Sequence, residues 1–458
     1  MFPINLGQLS RIIGGQLVRG NANTPISHPI YQSIRYLGPG KVFFLKTKYT
    51  NKFSPEELRA RKSAGIIATP ALAKLVPPHH PLILVPDIDT ALWKLAAWQR
   101  SQSKALVIGV TGSQGKTTTK EMLASILKQK YITYKSPSNH NIATYIPNHL
   151  FHLNGRHQVA VLEMGMSSLG NIRKQCFYAR PKIGIVTNVG EAHVGKLGNT
   201  LKNVVKAKQE IVDGIDSHGF LILNADDKGS RQLSLRKFHG KVNTVGIKNK
   251  ATYQAANIRF TRNGMHFTVN GVPYHIKTWG KHQIYNALAA IAAARLLKVP
   301  TRLIQQGLAG YHAPSMRLQK LYGIKKYLLI NDAYNANPSS MIAGLRVLKR
   351  LSKKRKSVAV LGDMSELGSH STGGHARVGK VVSKIKPTYL ITIGPQAAII
   401  ARTADLHGMP KTRIRPFPNQ SAALTFIRSA IPAGSILYFK ASRKTRLEWL
   451  VKQLKDKR

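Results

Sequence analysis

One cysteine in 458 residues, Cys176, leaves no partner for an internal disulfide, so burial and hydrogen bonding must hold the fold. Acidic residues are scarce too: 18 Asp and Glu stand against 70 Lys and Arg, a formal net charge of +52. A field of that sign draws polyanions by long-range attraction and counterion release, whether nucleic acid, anionic lipid or an acidic polymer. Also missing is any uninterrupted apolar run near ~18 residues, which argues against a transmembrane helix. The opening Met1-Phe2-Pro3-Ile4-Asn5 lacks the basic start and apolar core of a secretory signal, and the expected location is the cytoplasm. There is no internal repeat and no low-complexity linker. The densest basic cluster, residues 349–356, precedes an apolar run at 358–361 and reads as a solvated helix end and loop; no nucleic-acid fold signature accompanies it. With so few carboxylates, each one inside a motif carries more weight.

What is present is organised in three parts, as the length allows. Residues 1–103 mix short apolar runs at 42–45, 65–68 and 81–85 with turn residues and end in a helical stretch at 91–99, a small α/β domain. Residues 104–313 carry apolar runs at 106–109, 159–162, 183–186 and 220–223, each followed by a loop and a helix-length segment. Continuous apolar runs belong to buried parallel strands, which bind ligands at their carboxyl ends. Residues 253–274 alternate instead, with Asn270-Gly271 as a hairpin turn, and an Ala-rich helix follows at 287–297. From 314 the pattern restarts, with runs at 327–330, 358–361, 389–393 and 435–439, a third domain over 314–458 with its own parallel sheet. The expected fold is therefore α/β in three domains: a small N-terminal one, a central mononucleotide-binding sheet and a C-terminal Rossmann-like sheet. Two such domains meeting at a nucleotide loop imply a cleft that closes on substrate.

The loop is residues 109–119, Gly-Val-Thr-Gly-Ser-Gln-Gly-Lys-Thr-Thr-Thr, at a strand-to-helix turn. Backbone N–H groups around Gly112, Ser113 and Gly115 can converge on a phosphate, with the positive end of the following helix behind them. Lys116 supplies a mobile cation, and the hydroxyls of Thr117 and Thr118 sit where a Mg²⁺ and its nucleotide would be held. The general pattern G-x-x-x-x-G-K-[ST] misses by one residue, because Val110 stands where its first glycine belongs and Gly109 precedes it. The segment fits the variant T-G-S-x-G-K-T-T. Three more signals follow strands of the same sheet: Glu163 in Val-Leu-Glu-Met-Gly, His193 in Thr-Asn-Val-Gly-Glu-Ala-His, and Lys208 in Lys-Ala-Lys-Gln-Glu-Ile, which reads as a helix opening. Singly each is weak. Together they should converge on one sheet edge, where Glu and His can ligate a divalent cation beside phosphates.

With these motifs the sequence resembles the Mur ligases, ATP-dependent amide-bond-forming enzymes of peptidoglycan synthesis. The resemblance runs from about 104 to 446 and rests on four segments: 111–122, 163–166, Asp332-Ala-Tyr334-Asn335-Ala-Asn337-Pro338 with Met341, and Leu361-Gly-Asp363-Met-Ser-Glu366-Leu-Gly368. The last two point to the branch that adds D-alanyl-D-alanine to a nucleotide-activated muramoyl tripeptide. The resemblance implies an acyl-phosphate mechanism with ATP and Mg²⁺, carried out by a monomer. It gives Lys116, Lys208, His193 and Arg317 catalytic roles, and places cations at Thr117, Glu163, His193 and Lys208, the last as a carbamate. His282 and Asn286, with Asp332, Tyr334 and Asn335, are implied to hold the nucleotide. Arg35, Asn139, Asn141, Asp363 and Glu366 are implied to face the substrates.

The sequence also departs from the family. Residues 136–147 keep two asparagines of a family motif but carry Ile142, Ala143 and Tyr145 where Asn, Glu and Gly are usual; Ser33-Ile34-Arg35 stands for Asp-Ser-Arg, and a Gly-His pair is missing from 46–54. The nucleotide machinery thus matches better than the uridine diphosphate pocket. Three readings stay open: the peptidoglycan ligase, a divergent ligase joining another amine and carboxylate, and a non-catalytic polyanion-binding protein on the same fold.

Overall fold

The computed structural model describes residues 1–47, 55–352 and 355–456. The segment 48–54, where the Gly-His pair is missing, and Lys353 and Lys354 of the basic cluster lie outside the described residues.

The central sheet has nine strands in the order 272–276, 264–269, 253–261, 241–246, 220–224, 183–186, 106–111, 159–163, 133–135. Its strand Leu106–Thr111 pairs in parallel with Val159–Glu163 on one side and Ile183–Val186 on the other. Up to the polar ends Thr111 and Glu163, all three are apolar and almost wholly buried, which is why they read as unbroken runs rather than alternation. The loops that leave them open at a single edge, the topological switch point where ligands bind. Helix Lys116–Leu127 packs against helix Lys281–Leu296, an Ala-rich helix with Ala287, Ala290 and Ala294 buried. The antiparallel extension turns at Asn270 (φ 49°) and Gly271 (φ 86°), the left-handed pair a tight hairpin requires. Strands Thr133–Lys135, Lys241–Gly246, Gln319–Tyr322 and Ile414–Phe417 go beyond the sequence expectation; they are short or partly exposed, and their ladder partners rather than their apolar pattern make them strands.

The C-terminal sheet runs 319–322, 328–331, 436–440, 357–362, 389–393, 414–417, parallel except at its first strand, with apolar clusters on both faces. The N-terminal part has a five-stranded sheet and helix Ile88–Gln102, longer than the 91–99 stretch legible in sequence and capped by Asp87. That helix packs on helix Ile146–His152. One continuous core then runs from Leu6 and Leu9 through Leu92 and Leu95 to Leu150, Phe151 and Ile172, fastening the first domain to the second by apolar burial. Among the described residues no helix is long and apolar enough to cross a membrane.

Candidate active site

The phosphate loop is shaped by two glycines that no other residue could replace without movement. Gly112 has φ 146°, and a Cβ there would sit 1.9 Å from Thr187 Oγ1; Gly115 has φ 79° as the residue before helix Lys116–Leu127, and its Cβ would sit 2.2 Å from Asn286 Oδ1. The loop is braced from outside: Gln114 N–H donates to Asn188 Oδ1 at 3.0 Å, and Ser113 Oγ donates to Gly190 O at 2.9 Å. Lys116 Nζ folds back to Gly112 O at 2.7 Å, across the hollow a phosphate would fill. Gly115→Ala should cost about 1–2 kcal/mol for the left-handed backbone alone, and a larger loss should appear as ADP binding weakened at least about tenfold, measured by calorimetry.

Glu163 is the last residue of its strand and is buried at the floor of a cleft of ≈ 400 Å³ that the loop also lines. Asn141 Nδ2 donates to its Oε1 at 2.7 Å, while Oε2 has no hydrogen-bond partner among the described residues. A buried carboxylate oxygen left unpartnered beside a phosphate loop fits a hard divalent cation. Among the described residues no three His, Cys, Asp or Glu side chains could hold a metal by themselves. A cation at Glu163 would therefore complete its shell with phosphate oxygens, hydroxyls and water, as Mg²⁺ does.

Lys208 is fully buried, and it sits in the middle of helix Leu201–Gly214, not at a helix opening as its sequence context suggests. Thr200 makes the true start by accepting from Asn203 N–H. Lys208 Nζ reaches Thr111 Oγ1 at 3.1 Å, and burial, reinforced by the Lys116 charge, holds its pKa well below the ordinary lysine value. Its neighbour Glu210 turns away to accept from Gly170, Ile172 and Arg173 N–H groups at the start of helix Asn171–Ala179. His193, in left-handed backbone at φ 65°, meets Glu366 of the C-terminal domain at 2.6 Å, and Lys196 meets the other oxygen at 2.6 Å. Contact with His193, then with Lys196, pushes the Glu366 carboxyl down to about 2, while burial lowers His193. The two domains also join through Gly195 N–H to Glu366 O at 3.1 Å and Ser369 N–H to Asn199 Oδ1 at 3.2 Å. The cleft is closed on this side.

On the opposite wall, Asn286 is buried and accepts from Thr119 Oγ1 at 3.3 Å, and burial pushes His282 down to about 4, a neutral ring. Arg317 crosses from the third domain, its guanidinium 4.2 Å over the Tyr334 ring and 3.5 Å from Thr117 Oγ1. Asp332 lines the cleft but is fully engaged: Lys440 Nζ lies at 2.6 Å, Tyr438 OH at 3.1 Å and Leu318 N–H at 3.1 Å. Asn139, Asn141, Tyr334, Asn335 and Glu366 line the same cleft. Asp363 and Arg35 are not among its lining residues. Asp363 accepts from Ala397 N–H at 2.7 Å, and Arg35 is exposed on the short turn Ile34–Tyr36. Lys120, Asn188 and the role of Lys440 were not foreseen; the signal for Lys120 was its place one turn after Lys116 on a helix that buries its polar residues as well as its apolar ones.

A second cavity of ≈ 500 Å³ opens between the first two domains, walled by Tyr31, Trp93 and Tyr145. Lys46 and Lys174 stand at it, Lys174 Nζ 4.4 Å over the Trp93 ring, and Lys46 pairs with Asp89 at 2.5 Å. The segment from Asn139 to Tyr145 contributes residues to both cavities.

A glycine-shaped phosphate loop, a buried carboxylate with one oxygen free of hydrogen bonds and a second sheet domain closing over both define a nucleotide-dependent group-transfer site. The Mur ligase middle domain matches residues 110–294, and the Mur ligase, glutamate ligase domain matches residues 316–443. The chain is 35% identical to the UDP-N-acetylmuramoyl-tripeptide--D-alanyl-D-alanine ligase of Bacillus subtilis over 99% of both chains. It is 29% identical to the Escherichia coli protein of the same name over 100% of this chain and 99% of that one. A crystal structure of MurF from Acinetobacter baumannii superposes with a TM-score of 0.87 at 27% identity, covering 99% of this chain and 98% of that one. The MurF ligase of Thermotoga maritima in complex with ADP shares the fold, with a TM-score of 0.79 at 24% identity over 93% and 96% of the chains. The chain belongs to the Mur ligase family.

Proposed function

We infer that this chain is an ATP-dependent ligase that joins D-alanyl-D-alanine to the terminal carboxylate of UDP-N-acetylmuramoyl-tripeptide in peptidoglycan synthesis. The reading rests on one arrangement: Lys116, Glu163 and Lys208 gather at one sheet edge, beneath Arg317 and Glu366 of the closing domain. A carboxylate is a poor electrophile. Its oxygen attacks the γ-phosphorus of ATP, ADP leaves, and the resulting acyl phosphate accepts the dipeptide amine at its carbonyl carbon, releasing phosphate and the amine's proton. Lys116 from below and Arg317 from across the cleft spread the charge of the transferring phosphoryl. Thr117 and Glu163 would hold one Mg²⁺ and His193 would serve a second; the bound ions would neutralise phosphate charge. Lys208, whose depressed pKa favours the free amine, can add CO₂ with loss of a proton and become an anionic carbamate ligand. Asn286 and the neutral ring of His282 suit the nucleoside, with Tyr334 and Asn335 above it. Asn139 and Asn141 face the peptide stem. The aromatic second cavity, with its two lysines, suits a uridine diphosphate, and the substrate would run along residues 139–145 into the cleft. ATP as co-substrate puts the reaction in the cytoplasm.

Phosphate release from Mg-ATP should require both UDP-N-acetylmuramoyl-tripeptide and D-alanyl-D-alanine. Turnover indifferent to both substrates would assign the site to another amine and carboxylate, and an absence of ATP binding would leave a polyanion-binding protein. Both nucleotide substrates are anions, so the +52 charge should steer them. Raising KCl from about 50 to 500 mM should raise both KM values several-fold and leave kcat nearly unchanged, since salt screens approach rather than contact.

A further inference from the structure

We propose that Lys120 is a positioning residue for the cation site: a buried ammonium that pins the segment from which Asn141 orients Glu163. This rests on the reading of Glu163 as a cation ligand.

Lys120 lies one turn after Lys116 and is 0% exposed, unusual for a lysine unless something requires the charge. Its Nζ donates to Ser136 O at 2.7 Å and Ser138 O at 2.6 Å, gripping two carbonyls of one bend. On its remaining side it faces two carboxylates, Glu121 Oε1 at 3.2 Å and Glu163 Oε2 at 3.8 Å. Two of the ammonium's three donors are thus spent on backbone carbonyls, and its charge is offset by the two carboxylates. The bend needs holding, because Ser138 stands in left-handed backbone at φ 44°. It also touches the strand that bears Glu163: Ser136 Oγ accepts from Glu163 N–H at 2.9 Å, and Ser136 N–H donates to Val161 O at 3.0 Å. Three residues beyond Ser138, Asn141 Nδ2 reaches Glu163 Oε1, and Asn141 O accepts from Gly165 N–H at 2.6 Å. One side chain thus joins the phosphate-loop helix, the 136–141 segment and the cleft carboxylate. It fixes one oxygen of Glu163 through Asn141 and leaves Oε2 near a cation too far away to hydrogen-bond to it. Oε2 therefore stays available for a metal, with part of its charge offset.

The test is Mn²⁺ binding followed by electron paramagnetic resonance in the presence of ADP, beside metal-free ADP binding by calorimetry in EDTA. Lys120→Met should weaken Mn²⁺ at least about tenfold and metal-free ADP less than about threefold, a split that general structural damage would not produce. Lys120→Arg, which restores charge and donors, should recover Mn²⁺ binding to within about threefold. A folded Lys120→Met protein that binds Mn²⁺ as the wild type does overturns the proposal. If that variant does not fold, Asn141→Ala decides, because the segment acts on Glu163 through Asn141: a loss of about tenfold supports the proposal and wild-type binding sinks it. Glu163→Gln separates the layers. Wild-type Mn²⁺ binding there removes the cation reading itself, whereas loss there with none in Lys120→Met removes the Lys120 role alone.

Discussion

Lys116→Ala should lower kcat for phosphate release by at least about 10²–10³-fold, the cost of removing one preorganised donor to a developing charge. The fold should survive, because the backbone of Gly112 and Gly115 shapes the loop and the Asn188 side chain and the Gly190 carbonyl brace it, so that the variant loses only the single bond from Lys116 Nζ to Gly112 O. ADP binding should fall by less than about tenfold, since the backbone N–H groups and helix end that meet the phosphates remain. The effect should thus appear in kcat more than in KM for ATP, the signature of an interaction made in the transition state. Lys116→Arg should not restore activity, because a planar fork cannot follow the path of a compact ammonium over Gly112. A variant with wild-type kcat would remove Lys116 from the chemistry.

Asp332→Ala should be the most destabilising single change near the cleft, about 3–5 kcal/mol, because it leaves a buried cation without its partner. Lys440 is 4% exposed at its side chain, and Tyr438 OH and Leu318 N–H would lose their acceptor at the same time. Burial already lowers the Lys440 pKa below the usual lysine value, opposed mainly by Asp332, so the variant should lower it further. The sign follows from linkage. A lysine whose folded pKa lies below its unfolded value binds fewer protons in the folded state, so stability rises with pH between the two values. The deficit of Asp332→Ala should therefore shrink as pH climbs from about 7 toward about 10, where the wild type has less to gain. Denaturant unfolding followed at several pH values checks this, and a pH-independent deficit would mean that Lys440 is not the cause.

Much of the site was legible before any tertiary contact was known. Gly112 and Gly115 could be read because a left-handed turn before a helix tolerates little else, and Lys116 because a phosphate needs a cation at that turn. The Asn270-Gly271 hairpin was legible for the same local reason. Lys208 illustrates the limit: its neighbours looked like a helix start, yet the helix begins at Leu201 and buries the lysine at its middle. Asn286 would pass for a solvated position on an Ala-rich helix, and only the approach of helix Lys116–Leu127 buries it. Asp363 sits in a recognisable motif but is spent on the start of helix Ala397–Leu406, a contact 34 residues away in sequence.

The sequence by itself determined the local chemistry: where strands end, where glycine is obligatory, and which residue types stand at the carboxyl edge of the central sheet. These follow from steric limits and side-chain inventory within a few residues. Only the tertiary structure decided which charges meet. Lys120 with Glu163, Lys440 with Asp332, and Glu366 with His193 each join positions far apart in the chain. Electrostatic energy depends on separation and burial, and neither is set until strands have paired and the third domain has closed on the second.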